Sequence, residues 1–177
     1  MTKINVIDLD NTLINFDSFR RYVLNFFQDG DLFLALLILQ RKIKVLSNSE
    51  FKSRVTLRCR TKSNYNEFLT SFSEYILQNI NNGILSKVTL MSDENTINIL
   101  SSASPSDYVT LVAKKLGWES MSTLVKNKSI NHNYGKQKII NLLKAYPKEE
   151  YIYNFAISDS KSDIELLKLF NKYELII

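Results

Sequence analysis

The sequence predicts an α/β protein: a parallel sheet with helices on both faces, interrupted after its first strand by a long helical insert. Three observations carry this. Apolar, β-branched runs at 4–9 (INVIDL), 96–102 (TINILSS), 151–158 (YIYNFAIS) and 173–177 (YELII), with a weaker one at 122–126 (STLVK), have strand character. Helical patterns separate the later runs, and such alternation builds parallel sheets covered on both faces. Residues 15 to about 90 carry almost no strand signal, and that is far more chain than the dozen or so residues a simple crossover needs. The expected organisation is a core of residues 1–14 and 91–177 with an insert at 15–90.

The first strand ends in Asp8 and Asp10. Side chains alternate along a strand, so positions 8 and 10 point the same way. Two carboxylates this close repel unless a metal ion, a lysine or a shared proton lies between them. The insert then reads as helices over roughly 17–28, 31–46, 49–59 and 64–81. Its run LFLALLIL (32–39), followed by Arg41, Lys42 and Lys44, falls short of the about 18 apolar residues of a membrane span. A buried helix is expected there, with a membrane-surface contact or a dimer face as the alternatives. After the second strand, SDYVTLVAKKLG (106–117) runs from a capping Ser to Gly117, and KQKIINLLKAY (136–146) places Ile139, Ile140 and Leu143 on one face. SDIELLKLFNKY (162–173) carries Ser162 and Glu165 at capping-box spacing.

Composition narrows the chemistry. A chain of 177 residues buries roughly 70% of its extended surface and needs no staple. One cysteine, Cys59, excludes an internal disulfide or a cysteine-based zinc site, and one histidine, His132, excludes a multi-histidine metal site. The N-terminus enters a strand at once without a signal-peptide pattern, so a cytoplasmic location is expected. The net charge of +5 and pI near 9.2 come from lysines and arginines that read as scattered. They suit a small anionic substrate, and nucleic acid is not an expected partner. The sequence leaves the oligomeric state open.

Polar clusters fall where a parallel sheet would gather them. SSASP (101–105) ends the second strand, GKQK (135–138) opens a helix, and SDSKSD (158–163) ends the fourth strand with Asp159 and Asp163. Strand ends of this kind share one edge of the sheet, where open α/β sheets bind ligands. Asp8, Asp10, a serine, a lysine, Asp159 and Asp163 then converge. Oxygen donors alone suit Mg²⁺, and an aspartate can attack phosphorus. Phosphoryl transfer needs charge neutralised on the equatorial oxygens and reactants held in line. A second acid can protonate the leaving oxygen and then activate water.

The chain resembles the haloacid dehalogenase superfamily of phosphohydrolases, in particular its phosphoserine-phosphatase-like branch. DLDNT matches a DxDxT motif, LSSASP a strand ending in Ser, GKQKIINLL a lysine opening a helix, and SDSKSD a DxxxD motif. All four occur in family order across nearly the whole chain. The resemblance implies a Rossmann-like core with a helical cap, and a Mg²⁺-dependent phosphatase acting on a small phosphorylated metabolite. Asp8 would be the nucleophile and a metal ligand, and Asp10 the general acid/base with its carbonyl on the metal. Ser102 would bind a phosphoryl oxygen, Asp159 would complete the metal site, and Asp163 would support it. For the lysine, apolar residues at +3, +4 and +7 favour Lys136, with Lys138 as the alternative. On the substrate side Thr12, Asp17 and Arg54 are candidates. Asp17 and Arg54 stand where phosphoserine phosphatases have a glutamate and an arginine. The usual Ser-Gly-Gly is Ser-Ala-Ser-Pro here, so phosphoserine itself is not implied. A phosphotransferase, a lipid-phosphate phosphatase at a membrane and a catalytically idle binding module are the competing readings.

Overall fold

A computed structural model describes residues 1–27, 30–127 and 129–176. The chain forms β1 (Thr2–Ile7) and then five helices: α1 (Ser18–Phe27), α2 (Leu32–Lys42), α3 (Asn48–Cys59), α4 (Tyr65–Gln78) and α5 (Asn82–Leu90). It continues through β2 (Thr96–Pro105), α6 (Ser106–Leu116), β3 (Glu119–Lys126), β4 (Ser129–Asn131) and α7 (Lys136–Ala145). β5 (Tyr151–Ser158), a 3-10 turn at Lys161–Asp163, α8 (Ile164–Leu167) and β6 (Lys172–Leu175) complete it. Gln28, the expected end of the first helix, and Ile177, the expected end of the last strand, lie outside the described residues.

The strands form one six-stranded sheet in the order β4-β3-β2-β1-β5-β6. Every pairing is parallel except the β3–β4 hairpin. β1 is central, with Val6 level with Ile99 of β2 and with Ala156 of β5. Its C-terminal end therefore opens between two neighbours, as a ligand crevice requires. Alternation sends Ile4, Val6, Ile99 and Ala156 to one face, where they pack with Leu142 of α7, Leu166 and Leu167 of α8, and Phe170. Ile7, Leu100, Phe155 and Ile157 face the other way, onto α6 and the insert. One polar position interrupts this pattern. Buried Asn5 donates to Asn98 Oδ1 at 2.9 Å and accepts from Asn154 Nδ2 at 2.8 Å. A satisfied amide row across three central strands penalises any slip in their register.

The helical excursion closes where it opened. Ile14 bridges Ile80, and the Asn81 amide donates to the Leu13 carbonyl at 2.8 Å. α1 to α4 thus leave and return at one point, ten residues short of the expected boundary at 90. α5, which the sequence does not mark, starts on its Asn81 cap and reaches the far edge of the sheet, where Lys87 Nζ lies 2.7 Å from Glu174. The excursion shares its core with the sheet. Tyr22 packs on Tyr108 of α6 with ring centroids 5.5 Å apart, and Phe72 packs on the same ring at 5.1 Å. Each such buried ring contributes roughly 1.5–3 kcal/mol. Arg60, after α3, grips Asp107 with two nitrogens at 2.6 and 2.7 Å and donates to the Val125 carbonyl at 2.9 Å.

Two helices differ from expectation. The second helix stops at Lys42 rather than 46, because Lys44 takes a left-handed φ of +60°. The helix expected over 162–173 is confined to 164–167. Phe170 turns into the core and the Asn171 amide donates to Tyr153 O at 2.9 Å, which starts β6. LFLALLIL is only half buried: Leu34 and Leu37 face the core, while Leu32, Phe33, Leu36 and Leu39 are exposed.

Candidate active site

β1 ends at Ile7, and the next residues turn sharply, with Asn11 at a φ of +53°. Asparagine tolerates this left-handed conformation better than most residues. The turn puts Asp8 and Asp10 at the wall of a cavity of about 190 Å³, together with Asn11, Ala103, Tyr134, Lys138, Asp159 and Asp163. Lys138 is buried, and its Nζ lies 2.7 Å from Asp8 Oδ1 and 2.6 Å from Asp163 Oδ2. This ammonium is the positive partner that the β1 carboxylates require. Burial acts to lower its pKa, but Asp8 and Asp163 outweigh that and hold it above the ordinary lysine range. Burial pushes the Asp8 carboxyl up to about 7, against the pull of Lys138 and with the repulsion of Asp163 and Asp10.

Lys136, which the apolar spacing favours, is instead exposed at the first position of α7. The spacing misleads because Ile140 and Leu143, two of the three apolar residues that define it, are themselves exposed. The buried face of α7 carries Lys138 and Leu142, one turn apart. Asn133 locks the loop before this helix. It is buried, its Nδ2 donates to Met121 O at 2.8 Å and Ser102 O at 3.2 Å, and Asn141 donates to its Oδ1 at 2.9 Å.

Asp10 is held on three sides. The Ser18 amide at the start of α1 donates to Oδ1 at 2.6 Å, while Ser104 and Ser102 donate to Oδ2 at 2.8 and 3.2 Å. The serines reach it because β2 pairs with β3 at Ser101↔Met121 and next at Pro105↔Thr123. The residues between bulge out of the ladder and re-aim their side chains. Ser102 is fully buried and spent on Asp10, so it stands behind that carboxylate rather than at the cavity wall. Ser104, two residues beyond Ser102 in the same SSASP run, is a site residue that the sequence does not single out. The chain of contacts continues through Ser18 Oγ, 3.3 Å from Ser104 and 2.9 Å from the Tyr108 hydroxyl.

β5 delivers the acidic side. Asp159 follows it directly, and burial raises its pKa above the ordinary carboxylate value. Thr12 is buried and accepts from the Asp159 amide at 2.9 Å, which ties the β1 and β5 turns together and keeps its hydroxyl from the cavity wall. Asp163 also accepts from Ser158 Oγ at 2.9 Å, while its other oxygen, Oδ1, is buried without a partner among the described residues. The two cap candidates stand elsewhere. Asp17 is exposed and caps α1, accepting from the Arg20 amide at 2.8 Å. Arg54 is exposed in a surface cleft with Phe33, Leu57 and Arg58.

The cation that α3 does bring inward is Lys52. It is buried, its Nζ donates to the Ala103 carbonyl at 2.7 Å, and it lies over the Phe19 ring at 5.1 Å. Ala103 is part of the cavity wall. Burial lowers the Lys52 pKa, while Asp10, Asp17 and Asp8 oppose that. His132 is half-buried nearby and pushed down to about 4 by burial and by Lys52, so it is neutral at pH 7. Nothing in the sequence distinguishes Lys52 from a solvated helix lysine.

No family model matches the sequence, and no curated protein is similar to it. Solved structures do match. A protein of unknown function from Bordetella pertussis Tohama I superposes with a TM-score of 0.76 at 15% identity, over 98% of this chain and 89% of that one. A phosphoserine phosphohydrolase-like protein from Francisella tularensis gives 0.65 at 17% identity, over 100% and 88%. A haloacid dehalogenase family hydrolase from Salmonella enterica serovar Typhi gives 0.58 at 13%, over 95% of this chain and 60% of that one. The chain therefore has the haloacid dehalogenase-type fold: a Rossmann-like parallel sheet with a helical excursion after its first strand.

Proposed function

We propose that the protein is a phosphomonoester hydrolase working through Asp8. One observation carries this reading: a buried carboxylate at the end of the central strand, fixed by a buried lysine through one oxygen. Asp8 Oδ1 is held by Lys138, no hydrogen bond to Oδ2 is found among the described residues, and Asp8 lines the cavity. In the first step Asp8 attacks phosphorus, the bond from phosphorus to the leaving oxygen breaks, and Asp10 gives that oxygen its proton. In the second, Asp10 takes a proton from water, the water oxygen attacks the phosphorus of the aspartyl-phosphate, the bond from phosphorus to the Asp8 oxygen breaks, and inorganic phosphate leaves with the Asp8 carboxylate restored. Ser18, Ser102 and Ser104 keep Asp10 in place for both steps. The cavity lies below the roughly 300–1,000 Å³ of drug-sized sites, which suits a small metabolite. Lys52, bonded to the Ala103 carbonyl of the cavity wall, would place its positive charge behind that wall and favour an anionic group in the cavity.

The donor set fits Mg²⁺. Asp8 and Asp159 line one cavity as desolvated carboxylates with raised pKa values, and the bare Asp163 oxygen lies beside them. Among the described residues no three acidic, His or Cys side chains form a cage. Mg²⁺ commonly takes only one or two carboxylates and fills its octahedron with water and phosphate oxygens. When bound, the ion would neutralise charge on the transferring phosphoryl group.

The test is a phosphomonoester panel assayed with Mg²⁺. Turnover of at least one ester is expected, lost in EDTA and abolished in Asp8→Asn, with covalent phosphate on the wild-type protein alone. An Asp8→Asn protein that turns over as the wild type does would overturn the mechanism.

A further inference from the structure

The α2–α3 hairpin carries a face that the catalytic reading does not use. Along α2, Leu32, Leu36, Leu39 and Ile43 follow one another at helical spacing, and they are 85%, 47%, 54% and 61% exposed. They form one stripe, opposite Leu34 and Leu37, which anchor the helix to the core. Val45 extends the exposed apolar surface beyond the helix, and Phe33 extends it sideways into the cleft with Arg54, Leu57 and Arg58. An outward leucine stripe on a helix already anchored by its other face points to something that covers it.

The charge around the stripe says what that is. Between Leu32 and Arg60 stand seven lysines and arginines and a single carboxylate, Glu50. This hairpin alone accounts for the chain's net positive charge of +5, although along the sequence the lysines and arginines look scattered. Lys42, Lys44 and Arg54 are exposed, and Glu50 is engaged by Ser47 in the capping box of α3. Asp31, at the start of α2, is buried and neutralised by Arg58 at 2.9 Å and Lys62 at 2.8 Å. A second copy of the chain is a poor partner, because two such hairpins would bring cations together without carboxylates to match them. The stripe is also small. At ~1.5 Å per residue α2 is about 16 Å long, and a face of that length about 10 Å wide falls well short of the ~800 Å² per partner of a stable interface. Among the described residues no helix is long and apolar enough to cross a membrane.

We propose that α2 lies flat on an anionic phospholipid surface. Leu32, Leu36, Leu39 and Ile43 enter the boundary between headgroups and acyl chains, and Lys42, Lys44 and Arg54 meet the lipid phosphates. This holds whether or not the cavity is a phosphatase site.

Vesicle flotation of the full chain tests it. Vesicles of three parts phosphatidylcholine to one part phosphatidylserine should float the protein at low salt, and phosphatidylcholine alone should not. Lys42→Glu with Lys44→Glu should weaken binding by at least about 25-fold, at roughly fivefold per cation. Leu36→Glu with Leu39→Glu should weaken it by roughly a hundredfold or more. Both pairs are solvent-facing, so circular dichroism melting should stay near the wild type and certify the fold. No flotation of the wild type would overturn the proposal, as would flotation indifferent to the leucine pair. A dimer by light scattering that the leucine pair dissolves, without vesicle binding, would give the stripe to a second copy instead.

Discussion

Replacing Lys138 with methionine keeps the length of the side chain and removes its charge. The wild-type ammonium compensates two buried carboxylates at 2.7 and 2.6 Å. Breaking a buried pair by removing one partner costs about 3–5 kcal/mol. That figure holds only while the carboxylates stay ionised. The Asp8 pKa is about 7 with the lysine present, and losing the lysine removes the main influence that lowers it. A carboxyl whose folded pKa lies above its unfolded value binds a proton more readily when folded, so stability falls as pH rises between the two values. In Lys138→Met that decline should extend above pH 7. At pH 5 the Asp8 carboxyl can protonate, and the loss shrinks to hydrogen bonds worth about 1–2 kcal/mol. At ~2–4 °C per kcal/mol for this size of chain, melting in EDTA should drop by roughly 6–20 °C at pH 8.5 but only about 2–8 °C at pH 5. Lys136→Met, at an exposed position, should melt as the wild type at both. Equal losses for Lys138→Met at the two pH values would show that the lysine does not compensate ionised carboxylates and would remove the basis for its role beside Asp8.

Three further substitutions test the insert. Lys52→Met should lower kcat/KM by roughly 10–100-fold, the loss of one charge-assisted hydrogen bond of about 1.5–3 kcal/mol, while Arg54→Ala leaves it unchanged; the reverse ranking would return substrate recognition to Arg54. Asp31→Asn keeps a good N-cap for α2 but loses the ion pairs to Lys62 and Arg58, both partly solvent-screened. Lys62 first and Arg58 next hold the Asp31 pKa far below its usual value against burial, so the pairing stabilises the fold above the unfolded pKa and fades as pH falls through the folded one. A melting temperature about 3–6 °C lower at pH 7, converging with the wild type toward pH 2, is expected, and a difference that persists in acid would assign the effect to the cap instead.

The core was legible because its signals are local. A β-branched run followed by two carboxylates marks the strand end that carries Asp8 and Asp10, although both lie in the turn after Ile7 rather than at alternating strand positions, and Asp159 and Asp163 likewise follow the end of β5. What escaped depends on which face of a helix meets the sheet. In α7 the residues at 138 and 142 carry the buried face, yet Ile139, Ile140 and Leu143 make a convincing stripe one step around the helix. LFLALLIL hid the opposite case, since a helix apolar on all sides carries no phase from which burial can be read. β4 escaped because three residues paired only to an edge strand leave too short a pattern.

Helical phase also explains how α3 divides its cations. Residues 52 and 54 are two steps apart, about 200° around the helix, so a side chain aimed at the sheet at one position must leave it at the other. Lys52 therefore reaches the Ala103 carbonyl at the cavity wall, and Arg54 opens onto the cleft beside α2. Arg58 lies four residues beyond Arg54 and shares its face, with its guanidinium over the Phe33 ring at 5.6 Å. Arg60, past the helix end, is locked onto Asp107 of α6. The result is a short rigid element whose inner edge reaches the wall of the Asp8 cavity through Lys52 and whose outer edge belongs to the basic, leucine-striped surface. Because the aromatic packing of Tyr22 and Phe72 on Tyr108 and the Arg60–Asp107 pair join the insert to the core, the hairpin is fixed relative to the β1 carboxylates. Contact of the outer edge with a lipid surface would then orient the cavity with respect to that surface without any movement of the insert.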